Sequence, residues 1–346
     1  MRLLLLANGP GELYSWGLPL ARNLEKRGWE VYLKILPCQF SSGYEKYVAF
    51  TEGLKFNGDG KPNIILQLGG DAFWGWKEKI RYRVPLLRYG FGLGGYFSFA
   101  YDAYLLPYDG IRKGLRGKRA FIVGSLSSDR VCDYPSREEA RKVLRINNEF
   151  LLGIFPGSRL PIWRRASEFL EKMISFLPRD IYFLVGRSPF IPEKEPSFLP
   201  EASPELVISA SDLLLTLPGT NTLEAAALGT PMLLLFPFSF LDLVPVSGFY
   251  GLLSSFPLLG KSLKFLLLKA LLRREEFLSW PNRLSGERIV PEMVGEFSPK
   301  DVALEIARLK EEEEPLRRMR ARLPEIVGGP GASWKIERVL REFLAL

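Results

Sequence analysis

The sequence predicts an α/β protein of two domains, each built on a parallel sheet. Apolar runs of strand length occur at residues 3–7, 151–155 and 213–217, and each passes directly into a turn and then a helical pattern. At 346 residues the chain exceeds one ordinary domain, and 47% hydrophobic residues is enough for two cores. Beyond this recurrence of strand, turn and helix there is no internal repeat.

In the first half, residues 3–7 read as a buried strand. The run is too short for a signal peptide and is broken at once by Asn8-Gly9-Pro10-Gly11-Glu12. A helix is expected over 16–27, stopped by Gly28, and a second strand over 29–36. Strand, crossover helix and strand in this order predict parallel pairing with a right-handed crossover. Ligands of such sheets sit at the carboxyl ends of the strands, which makes the turn at Asn8, Gly9, Gly11 and Glu12 a candidate site edge. A further strand over 62–68 ends in Gly69-Gly70-Asp71, placing a carboxylate at a strand end. The aromatics Phe73, Trp74, Trp76 and Tyr82 follow. Residues 90–95 fit G-x-G-x-x-G but follow no clear strand, so they read as a flexible glycine and aromatic loop. Residues 101–106 and 120–123 read as the last strands of this half.

A polar break at 132–137 precedes a helix over 136–144. In the second half, strands are expected over 151–155, 181–185, 206–208 and 213–217, with a helix over 163–176. Residues 333–346 read as a closing amphipathic helix, and 310–314 as a solvated charge run. The expected domains are 1–145, 146–328 and a C-terminal helix over 329–346 that packs back on the first.

The chain carries 47 basic and 39 acidic residues, a net charge of +8, which favours anionic partners. This charge is dispersed and no nucleic-acid recognition module is present. The two cysteines, Cys38 and Cys132, form neither a disulfide framework nor a metal cluster, and they fit a reducing cytosol. The absence of histidine excludes a Ser-His-Asp arrangement and leaves proton transfer to Asp, Glu, Lys or Tyr. Residues 236–277 are unusually apolar but are interrupted by Pro257, Gly260, Lys261, Lys264 and Lys269. They suit a segment lying in a membrane interface with its lysines, Arg273 and Arg274 toward anionic lipid, and equally two ordinary core helices.

The densest motif follows residues 213–217. Pro218-Gly219 breaks the strand, Thr220 and Asn221 are good helix caps, Glu224 stands three residues after Asn221, and Gly229 and Pro231 end the helix. Free backbone N–H groups and small hydroxyls at a helix start form an anion site, most naturally for phosphate. The same letters also suit an ordinary strand-to-helix turn in which Glu224 caps its own helix. Pro156-Gly157-Ser158-Arg159 supplies a guanidinium at the equivalent turn after residues 151–155, and guanidinium grips phosphate oxygens as a bidentate fork.

Three segments together resemble the C-terminal signatures of the lipid-A-disaccharide synthase family. They are Pro156-Gly157-Ser158-Arg159, Gly219-Thr220-Asn221-Thr222-Leu223-Glu224-Ala225 with Pro231-Met232, and Pro281-Asn282-Arg283-Leu284-Ser285-Gly286-Glu287-Arg288-Ile289-Val290-Pro291-Glu292. The resemblance implies a GT-B fold, two Rossmann-like domains facing across a cleft. It also implies inverting transfer of a diacylglucosamine from its UDP derivative to a diacylglucosamine 1-phosphate, with no metal and no cofactor beyond the UDP-sugar. Carried over by motif, Arg159 and Asn282 serve donor binding and catalysis, and Gly219, Thr220, Asn221, Thr222, Ser158 and Arg283 bind substrate. Glu224 lies near the ribose. The expected partners are a UDP-sugar, a lipid-linked acceptor and an anionic membrane surface at the cytoplasmic face, with homodimerisation left open.

Two features depart from the family pattern. The first loop keeps a glycine and Glu12 but lacks a following Ser-Gly-Asp, and Gly69-Gly70-Asp71-Ala72-Phe73 supplies one aspartate where the family has two. Both fall in the acceptor half, so the acceptor is where divergence is expected. With histidine absent, Asp71 is the first choice of general base and Glu12 the second. The alternatives are a UDP-N-acetylglucosamine 2-epimerase-like enzyme, against which the missing histidine speaks, and a non-enzymatic nucleotide-sugar-binding protein at the membrane surface.

Overall fold

The computed structural model describes residues 1–37, 41, 43–56, 58, 60–92, 94–115, 117–196, 199–243 and 276–345. Cys38 and most of the apolar stretch at 236–277, including Lys261, Lys264, Lys269, Arg273 and Arg274, lie outside the described residues. The chain divides into two compact units, Met1–Cys132 with Gly328–Leu346, and Asp133–Val327.

The first unit holds a seven-stranded sheet, all neighbours parallel, in the order β3-β2-β1-β4-β5-β6-β7. Its strands are β1 (Arg2–Ala7), β2 (Glu30–Ile35), β3 (Lys55–Phe56), β4 (Ile64–Leu68), β5 (Leu86–Tyr89), β6 (Ala103–Leu106) and β7 (Ala120–Ile122). Strand β1 runs between β2 and β4, with Leu5 opposite both Leu33 and Leu66. Every residue of β4, β5 and β6 is buried, as expected of strands with covered faces, and this is why β4 and β6 read as largely apolar runs rather than alternations. Strand β5 is not marked by the sequence pattern, because Arg88 interrupts its apolar run. The G-x-G-x-x-G segment therefore does follow a strand, but it leads into a 3₁₀ turn (Tyr96–Ala100) instead of an α-helix.

Among this unit's helices, α1 (Leu18–Glu25) continues from a π-helical segment, Glu12–Gly17, so the helix begins earlier than expected. Helices α2 (Glu45–Thr51), α3 (Ala72–Tyr82) and α4 (Leu126–Arg130) follow.

The second unit holds a six-stranded parallel sheet in the order β10-β9-β8-β11-β12-β13. Its strands are β8 (Phe150–Phe155), β9 (Ile181–Gly186), β10 (Glu201–Ala202), β11 (Leu213–Thr216), β12 (Met232–Pro237) and β13 (Glu292–Gly295). Its helices are α5 (Arg137–Leu144), α6 (Leu160–Ile174), α7 (Pro204–Ala210), α8 (Asn221–Leu228), α9 (Trp280–Ser285), α10 (Pro299–Glu312) and α11 (Glu314–Val327). The strand expected at 206–208 is instead part of α7. Ser203 caps that helix by accepting from Leu206 N, and Pro204 occupies its first turn, where a missing N–H does no harm.

The unit boundary falls at 132/133 rather than 145/146. Helix α5 is tied to the second unit through Asp212, which receives Arg137 at 2.6 Å and Arg141 at 3.1 Å. The chain ends in α12 (Ala332–Leu344), within the first unit. There the Asp129 carboxylate accepts from the backbone N–H groups of Gly331, Ala332 and Ser333 at 2.5, 3.1 and 2.6 Å, filling the role of a cap that Gly331 lacks. Among the described residues no helix is long and apolar enough to cross a membrane.

Candidate functional site

In both sheets the first strand has its successor on one side and the fourth strand on the other. The chain therefore reverses its direction of travel across the sheet between β1 and β4, and again between β8 and β11. Loops leaving two such strands diverge and open a crevice at their carboxyl ends, the usual ligand position in open α/β sheets. All four strand-end segments singled out from sequence leave these two points. Asn8 to Glu12 and Gly69 to Asp71 flank the first; Pro156 to Arg159 and Gly219 to Thr222 flank the second.

At the first switch point the two loops are in contact. A methyl group on Gly69 would lie 2.9 Å from Glu12 Oε1, and one on Gly70 would lie 3.2 Å from Asn8 Cβ. Both glycines have positive φ, 60° and 65°, so close approach and backbone conformation each require glycine here. Asp71 caps α3, its Oδ1 accepting from Phe73 N at 2.8 Å, which holds the exposed carboxylate in one orientation. Its Oδ2 has no protein donor among the described residues and stands 3.6 Å from where a Gly95 side chain would begin. Glu12 is half-buried, and among the described residues its carboxylate makes no hydrogen bond and the buried side-chain oxygen of Asn8, Oδ1, has no partner. Gly9 lies in the turn, whereas Gly11 already has helical backbone, φ −65° and ψ −48°, and Gly9 O accepts from Leu13 N at 2.9 Å.

Beneath this turn lies a polar network that the sequence reading missed. Buried Arg88 donates to the carbonyl oxygens of Gly69, Gly70 and Gly92 at 2.9, 3.0 and 2.7 Å, and to the Tyr101 hydroxyl at 3.0 Å. Gln67 donates to the carbonyls of Gly69 and Asp71 at 3.0 and 2.8 Å and accepts from Tyr101 at 3.0 Å. Burial pushes the Tyr101 hydroxyl up to about 12, with Arg88 pulling the other way, so it remains a donor across the physiological range. The available signal was a charged residue inside the strand-length run 84–89, directly before glycine. A buried charge is kept only where its hydrogen bonds are met.

At the second switch point Thr216 pairs in register with Phe155, so the two turns leave the sheet side by side. Gly157 has φ 106°. Arg159 is the residue at which α6 begins. It is half-buried, and its Nε is shielded from solvent with no partner among the described residues. Ser158 shares this loop. Across from it, the Asn221 side chain donates to Thr216 Oγ1, and Thr222 Oγ1 donates to the Gly219 carbonyl at 2.8 Å. The first residue of α8 is Asn221 and its cap position is Thr220, with no side-chain capping bond. The capping box expected between Asn221 and Glu224 is therefore absent. The buried Glu224 carboxylate instead accepts from the Tyr134 hydroxyl at 2.9 Å. The N–H groups of Thr222, Leu223 and Glu224 are taken by Gly219 O and Thr220 O, and the start of α8 and Arg159, at the start of α6, follow the neighbouring strands β11 and β8.

Asn282 does not meet its expectation as a donor contact. It is wholly buried. Its amide donates to Val290 O and Glu292 Oε1, both at 2.8 Å, and its carbonyl oxygen accepts from Ile289 N and Val290 N at 2.9 and 2.8 Å. With those groups engaged, Asn282 ties the turn after α9 to the start of β13. Arg283 is exposed. Its Nε donates to Phe277 O at 2.9 Å and its guanidinium lies 5.4 Å from the Trp280 ring centroid. Among the described residues no group of three or more His, Cys, Asp or Glu side chains is placed to hold a metal ion.

The two sheets define a GT-B type of fold, and comparison with solved structures agrees. Staphylococcus aureus MnaA, in a co-structure with UDP, aligns over 100% of this chain and 97% of its own with a TM-score of 0.62 at 14% identity. MurG of Acinetobacter baumannii aligns over 99% of each chain with a TM-score of 0.58 at 11% identity. The spinosyn rhamnosyltransferase SpnG, complexed with thymidine diphosphate, aligns over 98% of this chain and 100% of its own with a TM-score of 0.56 at 12% identity.

Among curated proteins, the chain is similar to lipid-A-disaccharide synthases. That of Alteromonas mediterranea is 26% identical over 64% of this chain and 54% of its own length, and that of Geobacter metallireducens 27% identical over 64% and 57%. The matches thus span little more than half of these relatives. No family model matches the chain. The resemblance carried by the three motifs holds at this low identity: the chain is a divergent, lipid-A-disaccharide-synthase-like protein of GT-B fold.

Proposed function

We propose that the protein is an inverting glycosyltransferase that moves a glucosamine-type sugar from a UDP-sugar to a lipid-linked acceptor at the cytoplasmic face of a membrane. The observation that carries this reading is the placement of all four strand-end motifs at the two topological switch points. A carboxylate with one oxygen fixed lies at the first, and an arginine beside a helix start lies at the second.

In this reading the Asp71 carboxylate takes the proton from an acceptor hydroxyl, whose oxygen attacks the anomeric carbon of the donor as the bond to UDP breaks. The N-cap bond to Phe73 N orients Asp71, and the open Oδ2 receives the proton. Glu12 is the second candidate for this role. Arg159 and the α8 amino terminus meet the charge developing on the leaving diphosphate, where preorganised donors contribute a few kcal/mol each. Ser158, Gly219 and Thr220 serve the same diphosphate in this reading, while Thr222, wholly buried, acts at one remove by holding the Gly219 carbonyl. Asn282 acts at one remove, by fixing the segment that carries Arg283.

The test is incubation with UDP-diacylglucosamine and with UDP-N-acetylglucosamine, each with a lipid extract, followed by mass spectrometry. A glycosylated lipid and stoichiometric UDP are expected; intact donor in every arm rejects the reading. The epimerase-like alternative draws on the fold likeness to MnaA, and an isomerised UDP-sugar formed without acceptor would favour it.

A further inference from the structure

Helix α3 begins at Asp71 and presents an apolar stripe to solvent. Phe73, Trp76 and Ile80 follow one another at helical spacing, and the adjoining 3₁₀ turn adds Tyr96, Phe97 and Phe99. Ile80, Tyr96 and Phe99 are 57%, 80% and 65% exposed. The rings are packed into one patch, with centroids 4.8 Å apart for Trp76 and Phe97, 5.4 Å for Phe73 and Phe97, and 5.9 Å for Phe97 and Phe99. At its far end the stripe opens into a groove of about 680 Å³ floored by Trp76, Ile80, Val84, Phe99 and Phe343.

The charges around the patch are mostly of one sign. Lys77, Arg81 and Arg83 have no carboxylate partner among the described residues; Lys77 and Arg81 lie over the rings of Trp74 and Tyr82 at 5.9 and 5.1 Å. Lys118 donates to Ser98 O at 3.1 Å. Of the nearby acids, Asp102 is engaged by Lys79, Glu78 is buried and paired with Lys34, and Asp71 stands exposed at the head of the helix, one oxygen accepting from Phe73 N. Contiguous exposed apolar surface marks an interaction site. Protein interfaces are depleted of lysine at their centres, whereas aromatics rimmed by Lys and Arg suit the boundary of an anionic bilayer, rings at headgroup depth and cations on the phosphates.

We propose that the α3 stripe with the 96–100 turn is a membrane-docking surface for anionic lipid. It rests on the reading of a lipid-linked acceptor and extends it: one helix carries the catalytic carboxylate at its start and the lipid contact along its length. This surface shares no residue with the apolar stretch at 236–277.

The test is co-sedimentation of the full chain with vesicles of phosphatidylcholine containing phosphatidylglycerol, and with phosphatidylcholine alone, in the absence of donor and acceptor. The wild type is expected to bind the anionic vesicles, and less so at high salt. Ile80→Ser with Phe99→Ser, and separately Lys77→Glu with Arg81→Glu, should each weaken binding about tenfold or more with unchanged thermal midpoints. The charge-reversal pair alters only surface groups and decides the matter if the apolar pair fails to fold. Wild type that ignores anionic vesicles, or variants that bind as it does, would overturn the assignment. So would a self-association of the wild type, without vesicle binding, that the variants abolish. No sugar transfer is read, so docking can stand or fall independently of the proposed reaction.

Discussion

Arg88 Nη1 lies 2.9 Å from the carbonyl oxygen of Gly69, in the turn that leads into Asp71. The same guanidinium also holds Gly70 and Gly92, so the proposed base is positioned by a buried cation acting through backbone. Replacing Arg88 by Met strands several carbonyl oxygens. It should lower stability by about 2–4 kcal/mol in urea unfolding, since each buried unsatisfied group costs about 1–3 kcal/mol. If the role is positioning, kcat should fall by more than KM rises. Arg88→Lys should restore stability only in part, because one ammonium cannot reproduce the planar fork.

Asp71→Asn separates two roles of one side chain. Asparagine can still accept from Phe73 N, so α3 keeps its cap, but it cannot take a proton. Transfer should drop by about 10²–10⁴-fold with UDP-sugar affinity unchanged. Asp71→Ala should lose the same activity and in addition about 1 kcal/mol of stability. Undiminished turnover by Asp71→Asn would move the base to Glu12.

Arg159 is the counterpart on the donor side. Among the described residues its Nε has no acceptor, and the proposed reading gives that bond to a diphosphate oxygen. Arg159→Met should weaken UDP binding by about 10–100-fold in calorimetry, the range for loss of a charge-assisted bond. Equal affinity would remove Arg159 from the site.

Asn282 was expected from sequence to touch the donor, but the structure engages it internally through four bonds. Asn282→Ala should cost about 2–4 kcal/mol of stability, as several buried backbone groups lose partners. UDP affinity measured well below the lowered Tm should be close to wild type. A selective loss of UDP binding with an unchanged Tm would restore the direct role.

The contrast between Asn282 and Asp71 illustrates what the letters convey. Strands buried on both faces, such as β4 and β11, are apolar but for Gln67 and Thr216 and were legible, as were the glycine turns that end them. Strand β5 was not, because its stability depends on Arg88 finding acceptors on other segments, a tertiary fact. Helix α7 was misread because Leu206, Val207 and Ile208 suit either structure, and the Ser203-Pro204 start signal decides it. Residues 8–12 and 69–71 were each suggestive, yet their meeting follows only from β1 and β4 being neighbours. Motif likeness assigned Asn282 to the donor site, but a wholly buried amide and a ligand-facing one are spelled identically.

Glu337 gives the fold a pH signature. Its carboxylate, on α12, accepts from Arg27 at 2.7 Å, from Trp29 at 3.2 Å and from Arg341 at 2.7 Å. Burial alone would raise it, but these partners outweigh burial and hold it below the ordinary 4.5. A carboxyl depressed in the folded state contributes stability above the unfolded value and loses that contribution as pH falls through the folded one. The docking of α12 on the first unit should therefore be at full strength at neutral pH and weaken below about 4.5. Glu337→Gln should remove about 1–2 kcal/mol at pH 7, allowing for solvent screening of the half-exposed arginines. The difference from wild type should shrink as both are titrated toward pH 3, read by urea unfolding across the series. A pH-independent difference would mean that packing of the Glu337 stem, and not its charge, fastens α12.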